Sequence, residues 1–587
     1  MDGWTGTILR VDLSQGTTRT EELGEERARR TIGGRGLVLD ILAAEVDPAA
    51  DPLGPANKLV LAAGPLTGTG AVCGSVMVAG AKSPLSGGFA CALVKGHFGA
   101  ELKQAGYDAL IFEGQSRFPV YLSLFEGQVK LQPALQVWGR NTRQSESILR
   151  AEVKDAWKAR ETLILGIGPA GERKSPLATL VGEDYLAQGG PGLGAVMGAK
   201  NLKAVMVRGA AGLSVARGSA FIDTVSGLIN RLNGAAATGQ LLPELGSPYY
   251  LDPLGERGGL AADNHLSALP DKILSARELA TLNRFARSCF GCPIGCKQFG
   301  EVKEGPFACQ GKAPEADAAA AFGPKCGISE AAAVFKANHL CILHGLDPVS
   351  AGGTIACAME LGRAGLLAEA GVPDFGDGAG MVAALEQMAA ASTPLGKRLE
   401  AGARSLCQAA QRPELFMGVG GAELAPFEPR ALPALGLHFA TAGLAPSEQS
   451  AFGLVAAALA GGGGGGSEEQ AALCRQAQAE AAVLDSLGVC ALPLLGVELG
   501  SLWPMLPAAT GWDLGLEEAL ELGAAMVEQA RRLNRQAGAL EEALPGRLTG
   551  EPLPDGPAAG KVCRLQELLE AYHHHHPQGA RRVAGQV

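Results

Sequence analysis

The residues best suited to chemistry are three cysteines in one short stretch, Cys289-Phe-Gly-Cys292-Pro-Ile-Gly-Cys296. Their C-x2-C-x3-C spacing, with Pro and Gly between them, lets the backbone fold closely around an inorganic centre. A [4Fe–4S] cluster takes four thiolates, so such a loop supplies three and a distant cysteine must supply the fourth. We therefore expect an iron–sulfur cluster at this loop.

Two other interpretations of the cysteine loop stay open. Zinc favours paired C-x2-C knuckles or mixed cysteine and histidine ligands, and the sequence has no second C-x2-C and no His near the loop. The loop is also compatible with three unrelated buried cysteines, since a cysteine often packs as a small apolar side chain.

The candidate for the fourth cluster ligand is Cys490, in Asp485-Ser-Leu-Gly-Val-Cys490. Gly488 suits the end of a helix and would turn Cys490 off the helix axis. The alternative is a lone buried core cysteine. Gly345-Leu-Asp347-Pro has the same outline after another predicted helix, which suggests two helix ends that meet one ligand from opposite sides.

Three glycine loops in the first third of the chain indicate a phosphate-bearing cofactor. Gly166-Ile-Gly168-Pro-Ala-Gly171 satisfies G-x-G-x-x-G, but a dinucleotide site also needs a helix directly afterwards. We expect no helix there, because Lys174-Ser-Pro176 and a β-like stretch follow. The other loops are Gly64 to Gly70 and Gly189 to Gly194, which contains Gly192 and Gly194. Simple tight turns are the alternative for each loop alone.

Composition narrows the class of protein. The chain has 587 residues, a formal charge of −10 and only 5% aromatic residues. It therefore lacks the basic surface and stacking side chains of a nucleic-acid-binding protein, and the acidic charge also argues against an anionic membrane as a partner. Thirteen scattered cysteines, no signal-peptide pattern and no apolar run of about 20 residues predict a soluble cytoplasmic protein with reduced thiols.

The elements that position these residues change along the chain. Residues 1–210 read as β-rich, with strands predicted at Lys58 to Ala63, Ala109 to Glu113 and Val120 to Phe125. Residues 211–420, with the cysteine loop, and residues 421–587 read as helical, including Ala331 to His344, Ser467 to Leu487 and Leu516 to Gln536. The four histidines His573 to His576 are expected in an exposed polar tail.

The sequence resembles a known family, the tungsten-containing aldehyde:ferredoxin oxidoreductases. Ordered motifs along nearly the whole chain carry the resemblance, and they include Gly3-Trp-Thr-Gly-Thr-Ile-Leu-Arg-Val-Asp-Leu, Gly33-Gly-Arg-Gly-Leu, Ala63-Gly-Pro-Leu-Thr-Gly-Thr, Lys82-Ser-Pro-Leu-Ser-Gly, Gly99-Ala-Glu-Leu-Lys-Gln-Ala-Gly-Tyr-Asp, Ile167-Gly-Pro-Ala-Gly-Glu, Gly194-Ala-Val-Met-Gly-Ala-Lys-Asn-Leu-Lys-Ala, Cys292-Pro-Ile-Gly-Cys, Gly345-Leu-Asp-Pro and Asp485-Ser-Leu-Gly-Val-Cys.

The resemblance implies an α+β multidomain fold, with an N-terminal domain of two β-sheets followed by two mainly α-helical domains. It implies a [4Fe–4S] cluster on Cys289, Cys292, Cys296 and Cys490 beside a tungsten, or molybdenum, bis-pterin. Asp347 and Asp485 match the acids that bind the pterins. The glycine loops, with Gly166, Gly168, Gly171, Gly192 and Gly194, match segments along the pterin phosphates.

Several positions depart from the family pattern. An Arg between cluster and pterin is Val76 here, and the Arg of a glycine loop is Gly190. An Asn that helps to anchor a magnesium bridge between the pterin phosphates is Leu93, so one anchor of the magnesium that the resemblance implies is missing. The first acid of the family's D-x-x-G-L-D motif is Ile342. Its E-x-x-H iron site, at the subunit boundary of the homodimer that the resemblance implies, reads Lys336-Ala-Asn-His339, so one iron ligand is missing.

The catalytic pair implied by the resemblance is altered as well. The family's G-P-E-x-E appears as Ala313-Pro-Glu315-Ala-Asp317, so the second Glu becomes the shorter Asp317. The substrate-side His falls at Glu448. A buried carboxyl can act as an acid or base because burial raises its pKa, so Asp317 and Glu448, with Glu315, are the catalytic candidates. Solvated surface charges are the alternative.

The function that follows is oxidation of a small aldehyde to a carboxylic acid, with electrons passed to ferredoxin or a ferredoxin-like subunit. The competing hypothesis is a catalytically impaired paralogue that keeps the [4Fe–4S] cluster as an electron-transfer or structural subunit.

Overall fold

Two six-stranded sheets form the first third of the chain. The computed structural model describes residues 1–268, 274–462 and 464–574. The strands of the first sheet are β1 (Thr7–Asp12), β2 (Thr17–Glu22), β3 (Leu59–Ala63), β4 (Met77–Lys82), β5 (Phe89–Val94) and β6 (Ala109–Glu113). Those of the second are β7 (Val120–Phe125), β8 (Gln128–Pro133), β9 (Leu163–Gly166), β10 (Val181–Gly182), β11 (Tyr185–Leu186) and β12 (Leu202–Arg208).

The strand order is β2-β1-β6-β3-β4-β5 in the first sheet and β11-β10-β9-β12-β7-β8 in the second. Only β1 with β6 and β7 with β12 pair in parallel, and the other neighbours are antiparallel. Apolar side chains of both sheets share one buried cluster, for example Leu61 and Met77 with Leu165 and Val205. The two sheets therefore form one layered unit, in which the apolar strands inferred from the sequence are almost wholly buried.

Short helices connect these strands. They are α1 (Glu25–Thr31), α2 (Gly34–Glu45), α3 (Phe98–Gln104), α4 (Thr142–Ala151), α5 (Ala156–Glu161), α6 (Pro169–Glu172) and α7 (Leu193–Ala199). One expectation is wrong here, because α6 begins directly after Gly168, where no helix was expected. Pro169 favours a first helical turn, but this helix has only four residues, so the dinucleotide fingerprint is still incomplete.

Helices dominate the remainder. They are α8 (Gly218–Gly234), α9 (Leu242–Leu245), α10 (Leu251–Gly255), α11 (Ala276–Ala280), α12 (Ala316–Phe322), α13 (Ala331–His344), α14 (Pro348–Arg363), α15 (Gly378–Ala390), α16 (Pro394–Glu400), α17 (Ala403–Ala409), α18 (Pro433–Thr441), α19 (Phe452–Leu459), α20 (Ser467–Leu487), α21 (Leu499–Leu502), α22 (Met505–Thr510), α23 (Leu516–Gln536), α24 (Gly546–Gly550) and α25 (Leu565–His574).

Two small sheets interrupt this helical part. Their strands are β13 (Asn283–Arg287), β14 (Lys297–Val302), β15 (Cys309–Lys312), β16 (Gly418–Val419) and β17 (Ala422–Glu423). The cysteine loop connects β13 to β14, so it lies at the tip of a β-hairpin, although the sequence placed it among helices. The predicted fold class is confirmed, and the boundaries at residues 210 and 420 stay predictions.

Long-range packing joins the C-terminal helices to the first sheet. Apolar residues of α2, α20 and α23 share one buried cluster with Val60, Val78 and Ile111 of that sheet. None of the helices in the described ranges is both long and apolar enough to cross a lipid bilayer. His573 and His574 end α25, while His575 and His576 lie outside the described residues.

Candidate functional site

The four cysteines singled out in the sequence line one cavity. Cys289, Cys292, Cys296 and Cys490 surround a space of about 360 Å³ together with Cys73, Ser75, Lys95, Ile294, Lys297 and Leu492. Within the described ranges, no group of three or more His, Cys, Asp or Glu side chains has the geometry to hold a metal ion. The thiols are thus spread over the walls of one cavity.

Glycines shape the hairpin tip that carries three of these thiols. Gly291 and Gly295 adopt φ values of 63° and 65°, a left-handed conformation that glycine tolerates without steric cost. A Cβ at Gly291 would lie 2.8 Å from the carbonyl oxygen of Ala71, directly after the glycine loop Gly64 to Gly70. The spacing glycines are therefore required both by the turn and by the close approach of this loop to the first sheet.

The fourth thiol reaches the cavity from the end of α20. Gly488 ends this helix in the left-handed conformation, with φ 81°, as the sequence predicts. The carbonyl oxygen of Gly488 accepts a hydrogen bond from the backbone N–H of Val76 at 2.9 Å, and the N–H of Cys490 donates to the Cys73 carbonyl at 3.1 Å. Two backbone hydrogen bonds therefore hold the end of α20 and Cys490 against the segment of residues 73–76.

A fifth thiol, Cys73, was not identified from the sequence. It is buried, and its Sγ lies 3.5 Å from Sγ of Cys292. The Cys73 thiol donates to Cys292 and is the main cause that lowers the pKa of Cys292 to about 6, while burial raises the pKa of Cys289 to about 12. The only local signal in the sequence is that Cys73 follows the glycine loop at Gly70 within three residues.

A second cavity, of about 370 Å³, lies beside the first. Its walls include Gln188, Glu315, Asp317, Ile342 and Asp347. Lys297, next in sequence to Cys296, lines the thiol cavity and forms an ion pair with Glu315. This ion pair links the thiol cavity to the carboxylate cavity.

The candidate catalytic carboxyls are buried rather than solvated. Asp317 is 8% exposed and Glu448 is 1% exposed, so the surface-charge alternative is wrong. Burial raises the pKa of Glu448 to about 7, and Asp317 adds to this shift. Burial and then the Glu315 charge raise the pKa of Asp317, whereas Lys297 and Lys312 outweigh burial and hold the pKa of Glu315 well below its usual range.

The two acids assigned to pterin binding differ in their surroundings. Asp485 pairs with Arg35 at 3.5 Å, and both side chains are almost fully buried. Asp347 caps α14 by accepting the N–H of Ser350 at 2.8 Å. Burial raises the pKa of Asp485 to about 6 and that of Asp347 to about 7. Each acid can therefore exchange a proton near neutral pH.

The glycines of the second and third glycine loops pack against backbone or side chains of this chain. A Cβ at Gly168 would lie 2.3 Å from the His344 carbonyl, and one at Gly194 would lie 2.6 Å from the Thr179 carbonyl oxygen. Gly192, with φ 87°, is the N-cap of α7. Gly166 ends β9 and Gly171 lies in α6. These contacts explain the glycines structurally, so their role along pterin phosphates stays a prediction.

Three of the residues compared above with the family pattern, Gly190, Leu93 and His339, have defined surroundings in the structure. A side chain at Gly190 would begin 2.8 Å from the Cys91 carbonyl, so an arginine does not fit without movement. Leu93 pairs through its backbone with Gln188, at 2.8 Å between its N and the Gln188 oxygen. His339 is buried, and burial lowers its pKa to about 4, which agrees with a packed neutral histidine.

Both the N-terminal part and the remainder of the chain match models of a known protein family. Residues 8–209 match the family model described as aldehyde ferredoxin oxidoreductase, N-terminal domain, and residues 224–576 match the one described as aldehyde ferredoxin oxidoreductase, domains 2 and 3. The chain is 35% identical over 589 residues to the tungsten-containing aldehyde ferredoxin oxidoreductase of Pyrococcus abyssi, which covers 98% of this chain and 96% of the relative.

Two further similarities are more distant. The aliphatic sulfonate oxidoreductase, WOR-like subunit, of Pyrococcus furiosus is 29% identical over 392 residues, which are 62% of this chain and 61% of the relative. A solved structure, the active site complex BamBC of benzoyl coenzyme A reductase with 1,5 dienoyl-CoA, matches with a TM-score of 0.82. That match covers 98% of this chain and 94% of the other at 20% identity, and it shows a shared fold.

Proposed function

The chain belongs to the aldehyde ferredoxin oxidoreductase family, and we propose that it is a tungsten- or molybdenum-pterin oxidoreductase that oxidises an aldehyde to a carboxylic acid. Its electrons would pass through a [4Fe–4S] cluster to ferredoxin or a ferredoxin-like subunit. The observation that carries this proposal is the ion pair between Lys297 and Glu315, which joins a cavity lined by cysteine thiols to a cavity lined by buried carboxyls.

Residues of this chain fit both cofactors. Four thiols from two separate segments provide the ligand set of a [4Fe–4S] cluster. Cys73 touches Cys292 directly, so it is poorly placed to bind a different iron of the same cluster, and Cys490 is the fourth ligand in this proposal. On the pterin side, Arg35 is 2% exposed and its Nε has no hydrogen-bond partner within the described ranges. An unpaired buried donor of this kind fits a bound polar group.

The bound metal and pterins would supply the two-electron redox chemistry, and the cluster would supply one-electron transfer. Oxidation of an aldehyde with water to a carboxylic acid releases two electrons and two protons, and the chain itself would hold and move the released protons. Glu448, with a pKa of about 7, and Asp317, whose pKa is raised, can each accept a proton at neutral pH. Glu315 would stay ionised beside Lys297. Its negative charge raises the pKa of Asp317, so the Asp317 carboxyl would take up a proton more readily.

Replacing the proton-handling carboxyls tests this proposal. In Glu448→Gln and Asp317→Asn, we expect kcat for aldehyde-dependent dye reduction to fall about 10²- to 10⁴-fold, the usual effect of losing a general acid or base. Iron and tungsten contents should stay unchanged. Glu304→Gln, at an exposed position, is the matched control. Full activity in both variants would contradict the assigned roles.

One observation favours a different substrate class. Family membership alone does not name the substrate, and the relative named aliphatic sulfonate oxidoreductase shares part of this sequence. The same dye-reduction assay with aliphatic sulfonates in place of aldehydes separates the two substrate classes. The impaired-paralogue hypothesis predicts turnover of neither class.

A further inference from the structure

Lys95 lies between the two cavities and had no role assigned from the sequence. It follows β5, it lines the thiol cavity, and its Nζ donates to Oε1 of Gln188 at 2.6 Å and to Oε1 of Gln449 at 3.2 Å. Gln188 follows β11, and Gln449 stands in the 3-10 turn Glu448–Ala451. One ammonium group therefore connects an element of the first sheet, one of the second sheet and one of the C-terminal helical part.

The far end of each glutamine reaches the candidate catalytic carboxyls. Nε2 of Gln188 donates to Oε2 of Glu315 at 3.2 Å and to Oδ2 of Asp317 at 3.3 Å. Nε2 of Gln449 donates to Oε1 of Glu448 at 2.9 Å. An ammonium group only donates, so Lys95 obliges both amides to turn their oxygens inward and their nitrogens towards the carboxyls.

We propose that Lys95 is a positioning residue that holds Glu448 on one side, and Glu315 with Asp317 on the other, in a single hydrogen-bonded array through the amides of Gln449 and Gln188. This inference rests on the proposed function only in so far as these carboxyls handle the substrate proton. Within the described ranges Lys95 forms no direct ion pair with a carboxylate, so it acts through the two glutamines.

The charge of Lys95 acts in the same direction as its geometry. Burial raises the pKa values of Glu448, Asp317 and Asp485, and the ammonium of Lys95 opposes that rise at all three. The other titratable groups that face the array are Tyr250, Lys297, Lys312, Asp347 and Cys289. Lys297 and Lys312 are on the Glu315 side, so Lys95 is the cation shared with Glu448.

Removing the ammonium has two expected consequences. Both glutamine amides lose the donor that fixes their orientation, so each is free to present its oxygen to a carboxyl. Glu448 and Asp317 also lose a nearby positive charge, and this loss favours their protonated forms. A lysine with a purely structural role would change stability without changing the protonation of two carboxyls on different elements.

The test compares Lys95→Met with Lys95→Arg in the metal-replete enzyme. Infrared difference spectra between pH 6 and pH 9 report protonated carboxyl groups without any turnover. We expect the protonated carboxyl band to persist to higher pH in Lys95→Met. The acidic limb of the kcat/KM profile should also move up by about one pH unit, which is about a tenfold loss at a given pH on that limb. Lys95→Arg should restore both, and Lys303→Met, at an exposed lysine, should match the wild type.

A double-mutant cycle with Gln449→Leu shows whether the effect passes through the amide. If it does, the shift caused by Lys95→Met is smaller in the Gln449→Leu background than in the wild type. Unchanged infrared bands in Lys95→Met, or full additivity of the two substitutions, would overturn the proposal. A wild-type protein that oxidises no aldehyde would defeat the proposed function, but the infrared result would still decide the role of Lys95.

Discussion

The ends of α20 and α13 are built alike but deliver different chemistry. Each helix ends at a glycine in the left-handed conformation, with φ 81° at Gly488 and 70° at Gly345. The carbonyl oxygen of each glycine accepts a backbone N–H from a segment that follows a glycine loop, Val76 for Gly488 and Thr179 for Gly345, at 2.9 Å in both cases. The same backbone arrangement thus occurs once beside each sheet.

The side chains two residues beyond these glycines are different. The N–H of Cys490 donates to the Cys73 carbonyl at 3.1 Å, and the N–H of Asp347 donates to the Leu177 carbonyl at 2.8 Å. At equivalent backbone positions, one helix end directs a thiol into the thiol cavity and the other directs a carboxyl into the carboxylate cavity.

The side chains three residues before the glycines differ as well. Asp485 at the end of α20 pairs with buried Arg35, whereas the equivalent position on α13 is the apolar Ile342. The comparison teaches that a repeated helix end supplies position, and that the chemistry depends on single side chains placed on it. The following predictions test that division.

The largest expected effect is at Cys490. Cys490→Ala should lose most of its iron and the visible absorbance of the cluster, because a [4Fe–4S] cluster needs four thiolates. Cys73→Ala, which removes a thiol from the same cavity, is the matched control and should keep its iron. Iron analysis and absorption spectra check both variants. Loss of iron in Cys73→Ala with retention in Cys490→Ala would reverse the assignment.

The next effect is on the pH dependence of stability, measured on protein that keeps its cluster but is produced without tungsten or molybdenum. A carboxyl whose pKa rises from 3.8 to about 7 on folding, as at Asp347, stabilises the fold below pH 4. That stabilisation is lost as the pH rises to about 7, by about 1.4 kcal/mol for each unit between the two pKa values. Asp347→Asn keeps the helix cap and should flatten this slope.

Asp485 provides the comparison for this second effect. Its pKa rises only to about 6, so its contribution to the pH dependence of stability ends about one pH unit lower. Asp485→Asn should also leave the Arg35 charge buried without its partner, and a buried charge without a partner is destabilising. We therefore expect Asp347→Asn to be the more stable variant at pH 8 in urea unfolding. The reverse order would show that the two acids do not differ as described.

The smallest effect is expected at Gly64 and Gly168, the two glycines against which the ends of α20 and α13 pack. A Cβ at Gly64 would lie 2.2 Å from the Leu487 carbonyl, and one at Gly168 would lie 2.3 Å from the His344 carbonyl. Gly64→Ala and Gly168→Ala should each lower the free energy of unfolding by about 1–3 kcal/mol through overpacking. Gly212→Ala, at an exposed glycine without positive φ where a Cβ meets nothing within 4 Å, controls for loss of a glycine. Equal stability of all three would mean that the helix ends are not tightly docked.

Much of this arrangement could be predicted from the sequence, because it depends on local signals. The glycine after α20 and the glycine after α13 end their helices where the motif places them, and the bounds Ser467–Leu487 and Ala331–His344 agree with the predicted helices. Buried strands such as Ala109–Glu113 are also as expected. Helix-capping glycines and unbroken apolar runs are recognisable without knowledge of tertiary contacts.

The rest depends on tertiary contacts that carry no local signal. Cys73 meets Cys292 across 219 positions in the sequence, and Lys95 meets Gln449 across 354. No spacing rule connects such pairs, so Cys73 and the hydrogen-bonded array around Lys95 were not identified. The hairpin that carries the cysteine loop was missed for another reason. Its strand β13, Asn283–Arg287, has mostly exposed residues, so it lacks the apolar alternation that identifies a strand.

The metal content of protein purified without oxygen tests the central claim most directly. The account predicts about four irons, as one [4Fe–4S] cluster contains, together with tungsten or molybdenum and two pterins in each chain. Four irons without tungsten, molybdenum or pterin would contradict it and would support an electron-transfer or structural subunit instead.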